Sequence, residues 1–217
     1  MDNSKELPIL NAVEQRVLGS LIEKSIATPD YYPMTLNSLT AACNQKSSRK
    51  PVVEYDEETV IQALHNLKAQ SLVSTAVGGS SRVIKYKHNF TTVHPLTDGE
   101  LAIMCLLLLR GSQTPGELNT NSGRLHEFSS LASVLETLEK LRTGSHPFVK
   151  ETSRRPGQKE TRFVHLLGEV PVETEENTTE EEQASSPKIN LESRVTKLEE
   201  ELAAVKDILA KITKELF

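Results

Sequence analysis

Leu10 to Pro29 reads LNAVEQRVLGSLIEKSIATP, and Leu96 to Pro115 reads LTDGELAIMCLLLLRGSQTP. At an offset of 86 residues, Leu10, Glu14, Leu21, Thr28 and Pro29 return as Leu96, Glu100, Leu107, Thr114 and Pro115. At the same offset Val17, Leu18, Ile22 and Lys24 return as Ile103, Met104, Leu108 and Arg110. The period is far longer than the roughly 20 to 50 residues of a solenoid unit. It predicts two copies of one small domain, each of about 80 residues and with a core of its own.

Working outward, each copy carries the same local signals. Asn11 with Glu14, and Thr97 with Glu100, have the spacing of a helix N-cap and its third residue, where each side chain can satisfy the other's backbone N–H. Val13, Val17, Leu18 and Leu21 then share a helical face, and Pro29 and Pro115 block continuation. Thr35 is placed to cap a second helix over Leu36 to Cys43, and Thr114 to cap its counterpart with Pro115 and Glu117 in the first turn. Asp56 opens a third helix with Val60, Leu64 and Leu67 inward, and Ser129 or Ser130 opens another with Val134, Leu138 and Leu141 inward. After each third helix the period becomes that of a strand. Leu72 to Val77, a Gly-Gly-Ser-Ser turn at 78–81, and Arg82 to Lys87 form one hairpin; Phe148 to Ser153, a turn at Pro156-Gly157, and Glu160 to Leu167 form the other.

Three helices followed by a hairpin make a winged helix-turn-helix. The expected fold class is therefore α+β and mainly helical, with winged helix-turn-helix domains over 1–92 and 93–168 in tandem. The strings TPDYYPMTLNSLTAACNQKSSR (28–49), LLLRGSQTPGEL (107–118) and RRPGQKETRFVHL (154–166) resemble the YceH-like family of uncharacterised bacterial proteins. The resemblance runs through about residues 1–168 and the tail. It implies the same tandem winged-helix architecture, and it brings no activity, cofactor or ligand with it.

Charge is unevenly distributed. Residues 1–168 hold 19 basic and 17 acidic side chains, 169–187 hold none and 7, and 188–217 hold 6 and 6. The segment 169–187, rich in Glu, Thr and Ser, reads as a disordered acidic linker. From Leu191 the apolar positions Leu191, Val195, Leu198, Leu202, Val205, Leu209, Ile212 and Leu216 alternate at spacings of 4 and 3, which predicts a coiled-coil helix over 188–217. With Val195 at a, the pairs Arg194–Glu199 and Glu201–Lys206 are attractive across a parallel dimer. Self-association is favoured over a helix folded back on the body, because the apolar seam is narrow.

In a helix-turn-helix the third helix ordinarily enters the major groove with Arg, Lys, Asn or Gln leading. Here Asp56, Glu57 and Glu58 lead the first, and Glu136 and Glu139 lie on the second, so neither resembles a strong base reader; Gln62, His65 and Asn66 are the exceptions. Positive charge is gathered instead in a connection (Lys46, Arg49, Lys50) and in the hairpins (Arg82, Lys85, Lys87; Arg154, Arg155, Lys159, Arg162). A Pro-Gly turn flanked by such residues suits phosphate or minor-groove contact. Hairpins are also charged for solubility and to protect sheet edges, which accounts for about half of such clusters.

The six histidines lack zinc-ligand spacing, and His126-Glu127 has no second histidine four residues after the first. Gly111 to Gly116 has neither a preceding strand nor a phosphate-binding lysine. No catalytic site, metal or cofactor is therefore expected, and the chain is read as a non-enzyme. Cys43 and Cys105, 62 residues apart in apolar helical settings, read as buried free thiols of a reduced cytoplasmic protein. No signal peptide is expected at MDNSKELPIL, and no membrane span, since the apolar run Ile103 to Leu109 ends at Arg110.

The expected function is nucleic-acid binding of a transcription-regulator kind. Double-stranded DNA would be held by the wings and the basic connection, and the chain would be a homo-oligomer through its C-terminal helix. The alternative is a protein-interaction scaffold whose winged helices and coiled coil meet a protein partner without reading DNA.

Overall fold

A computed structural model describes residues 7–76, 83–144, 146–152 and 160–168. Its class is α+β, with seven α-helices and small antiparallel sheets among the described residues. The first repeat runs α1 (Ala12–Ala27), a 3-10 turn at Pro29–Tyr31, β1 (Met34–Thr35), α2 (Leu36–Cys43), α3 (Glu57–Ala69), β2 (Val73–Ala76) and β3 (Lys85–His88). A short α4 (Phe90–Val93) leads to the second repeat: α5 (Asp98–Arg110), α6 (Pro115–Ser122), α7 (Leu131–Thr143), β4 (Val149–Thr152) and β5 (Arg162–His165).

The helix starts fall where the capping spacings place them. Asn11, Thr97 and Thr114 each form a reciprocal box with Glu14, Glu100 and Glu117, and Thr35, Asp56 and Ser130 cap the remaining long helices. The helix ends differ between repeats. α1 continues to Ala27, but α5 stops earlier, at Gly111, whose φ of 72° is open to glycine at little steric cost. Proline is therefore not what ends α5.

The hairpins repeat in register as well as in order. Val73 faces His88 and Ala76 faces Lys85; Val149 faces His165 and Thr152 faces Arg162. β1, too short to carry any periodicity, adds a third strand in the order β1-β3-β2, with Met34 opposite Tyr86. In the second repeat one residue does this job. Gln113 exchanges two backbone hydrogen bonds with Phe163, of 3.1 and 2.8 Å.

The repeats do not keep separate cores. Buried apolar residues from Leu10 to Leu167 form one continuous cluster, and the described residues fall in one compact unit. The reason lies in α5, where every residue from Leu101 to Leu109 is buried. A helix that is apolar all round must be covered all round. α1 lies along one side of it, and α6, α7 and β5 cover others. At the α1 contact a Cβ on Gly19 would stand 2.9 Å from Leu109 Cδ2 and 3.1 Å from Leu108 Cβ, so the close approach depends on glycine. Both cysteines are buried and free.

Candidate nucleic-acid interface

The connection between α2 and α3 is built inward before it presents anything outward. The Asn44 side chain closes its ends, donating to Tyr55 O at 2.7 Å and accepting from Tyr55 N at 2.8 Å. Arg16 of α1 reaches Cys43 O at 3.1 Å and Pro51 O at 2.6 Å. Toward the other repeat, Lys50 N of the connection donates to Leu109 O at 2.9 Å, and Arg110 Nη2 donates to Ser48 Oγ at 3.0 Å. The segment therefore fastens one repeat to the other, rather than standing out as a basic loop.

Arg49 is the principal correction to the expected contact set. Its Nη1 and Nη2 grip Glu23 Oε1 and Oε2 at 3.0 and 2.7 Å, Nε and Nη2 reach Ala42 O at 3.2 and 2.9 Å, and Nη1 reaches Ser48 O at 3.0 Å. All five guanidinium N–H groups are thus engaged, and the side chain is fully buried. It has nothing left to offer a phosphate. Burial alone would push the Glu23 carboxyl up, but the hydrogen bonds and charge of Arg49 hold it below the ordinary carboxylate range. Lys46 and Lys50 are exposed.

On the first hairpin Lys85 is half-buried and Lys87 exposed. Two residues apart on one strand, they share a face of the sheet, while Tyr86 and His88 take the other. On the second hairpin, Arg162 is a further correction. Its Nη1 and Nη2 meet Glu117 Oε2 and Oε1, each at 3.1 Å, and Nη1 also reaches Ser112 O at 3.0 Å. Glu117 at the same time accepts from Thr114 N, so Arg162 ties β5 to the start of α6. Arg82, Arg154, Arg155 and Lys159 lie outside the described residues, as do the linker and the seam from Leu191 to Leu216.

The third helices of the repeats present different surfaces. On α3 the Thr59 side chain, and then the Thr59 N–H that donates to the Asp56 carboxylate at 2.8 Å, hold that acid below the ordinary range. Gln62, His65 and Asn66 are all exposed, but the Asn66 amide is engaged, donating to the buried Glu14 at 2.8 Å. On α7 the charges pair among themselves, Glu136 with Lys140 at 2.9 Å and Glu139 with Arg142 at 2.8 Å. Beside them Leu131 and Leu135, one turn apart, are each 46% exposed. The inward set Val134, Leu138 and Leu141 accounts for α7 in the core, and this pair lies outside it, about half exposed. Spacing by four residues was the available signal, and it is overshadowed by the stronger inward pattern.

No group of three or more His, Cys, Asp or Glu residues that could hold a metal ion occurs among the described residues. Nor is any helix among them long and apolar enough to cross a membrane.

A family profile described as "Protein of unknown function, DUF480" matches residues 10–158. A UPF0502 protein of Opitutus terrae is 49% identical over 163 residues, 75% of this chain and 71% of its own length. One from Geobacter sulfurreducens is 46% identical over 91% of this chain and 90% of its own length. One from Shewanella oneidensis is 41% identical over 94% and 97%.

Proposed function

The chain belongs to the DUF480 (UPF0502, YceH-like) family of uncharacterised bacterial proteins, and from that premise we propose that it is a tandem winged-helix protein that binds double-stranded DNA. The order of three helices followed by a hairpin, present twice with matching hairpin registers, supports the architectural part of the reading. Lys85 and Lys87 on one outward strand face carry the binding part, with Lys46 and Lys50 as further cations. Arg82, Arg154, Arg155 and Lys159, outside the described residues, belong to the reading by sequence alone. Contact is mostly with the phosphate backbone, which positions the protein and contributes little sequence information. The reading includes a cytoplasmic setting, no catalytic role, and self-association through the 4-3 seam from Leu191 to Leu216.

Titration of the full chain against a random-sequence duplex tests it. Binding is expected at about 50 mM salt, and four to six phosphate contacts predict a loss of roughly 10²- to 10³-fold by about 200 mM. Lys85→Gln and Lys87→Gln are each expected to lower the salt slope by about one contact, uniformly across sequences. No binding at the lower salt would overturn the proposal.

One observation favours a second reading, a scaffold for a protein partner. Leu131 and Leu135 are the kind of i, i+4 anchors that a partner groove accepts. A partner that co-purifies after nuclease treatment, and is lost on Leu131→Ser with Leu135→Ser, would support it.

A further inference from the structure

α1 and α5 do more than touch, because each uses the same face. Cys105 Sγ donates to Gly19 O at 3.5 Å, and the two positions are 86 residues apart, which is the repeat offset. A residue here meets its own counterpart. Gly19 also faces Leu108 and Leu109, the counterparts of Ile22 and Glu23. Reciprocally, the Glu23 charge lies near enough to Cys105 to add to the effect of burial in pushing its thiol up. Copies stacked by translation would bury opposite faces against each other. Copies that bury one and the same face are related by a local two-fold, as in an isologous dimer. α3 packs on α1 and α7 on α5, so the third helices and hairpins follow that relation.

We infer that a single chain engages duplex DNA as a pseudo-palindrome, with two half-sites in inverted orientation, one for each repeat and unlike in sequence. The inference rests on the nucleic-acid reading above and specifies the kind of site. Protein two-fold symmetry is mirrored in the symmetry of the bound site. From α3 through α1 and α5 to α7 there are three helix-packing steps of about 8–10 Å, which bound the separation of the outer axes at roughly 24–30 Å. One turn of the duplex is about 34–36 Å, so the half-sites are adjacent, less than one turn apart. They are unequal because the surfaces are. α3 offers Gln62 and His65, which can hydrogen-bond base edges, whereas α7 offers Leu131 and Leu135, which suit a thymine methyl.

The test selects duplexes from a random pool with the full chain, then reads the footprint and the mass of the complex. Two protected segments in inverted orientation for each chain in the complex are the expected result, so that chains paired through the C-terminal seam protect two such pairs. Gln62→Ala with His65→Ala is expected to relax the base preference of one segment only. A single protected segment, a direct repeat, or an inverted repeat that needs one chain for each half would overturn this inference and leave DNA binding intact. No retained DNA would overturn the nucleic-acid reading and this inference with it.

Discussion

Arg49 and Gly19 show how single side chains hold the repeats together. Glu23 is partly buried against Arg49 and also lies 3.4 Å from Lys24, so Arg49→Ala would leave its carboxylate with Lys24 alone and is expected to destabilise the protein by about 1–3 kcal/mol. Arg49→Met combined with Glu23→Leu removes both charges and is expected to recover most of that loss, because a paired ion inside a protein gains little over a packed apolar pair. Midpoints of urea unfolding measure both. If Arg49→Ala lost DNA affinity while remaining folded and equally stable, the structural role assigned to it would be wrong. Gly19 sits mid-helix, where alanine ordinarily gains about 1 kcal/mol. Here the added methyl meets Leu109 and Leu108 at 2.9–3.1 Å, so Gly19→Ala is expected to be neutral to destabilising, and Gly19→Val to cost about 1–3 kcal/mol by overpacking. A rise in melting temperature for Gly19→Val would contradict the close approach.

Among the elements, the hairpins carry a pH dependence that the repeat duplicates. His88 ends β3 and His165 ends β5, and burial lowers each imidazole to about 4. The Nδ1 of each is buried with no hydrogen-bond partner among the described residues. The unfolded chain, titrating near 6.5, takes up these protons before the folded one. Stability is therefore complete above about pH 6.5 and declines as pH falls toward 4, by up to about 3 kcal/mol for each histidine. Glu23, held low by Arg49, loses its contribution only below its unfolded value of 4.5, so the two windows separate. Unfolding midpoints at stepped pH check this, and His88→Gln with His165→Gln is expected to flatten the upper window. An unchanged slope would place the acid sensitivity elsewhere. Helix starts were legible because a cap and its partner are three residues apart in the chain. The two-residue β1 and the single bridge at Gln113 were not, since strands that short have no period. Nor were the fates of Arg49 and Arg162, whose partners Glu23 and Glu117 are 26 and 45 residues away. A basic residue in a loop or wing looks the same in sequence whether it faces solvent or a carboxylate brought in by the fold.

At the scale of the whole molecule, the shared core predicts how the body unfolds. Domains of about 80 residues with independent cores would melt in two steps, each with its own midpoint. Here α5 is buried along its length, and α1 of the first repeat forms part of its cover, so loss of either repeat exposes apolar surface on the other. The connection fastened by Lys50 N to Leu109 O and by Arg110 to Ser48 would be lost at the same time. One cooperative transition is expected. The sequence supplies a probe, because Tyr31, Tyr32, Tyr55 and Tyr86 all lie in the first repeat. Tyrosine near-ultraviolet dichroism therefore follows that repeat alone, whereas amide exchange in α7 follows the second. Coincident midpoints by the two signals, with equal calorimetric and van't Hoff enthalpies, are the expected result. A tyrosine transition separated from α7 exchange by more than a few degrees would show that the repeats unfold independently, and that the α1–α5 contact is too weak to hold two half-sites in fixed register.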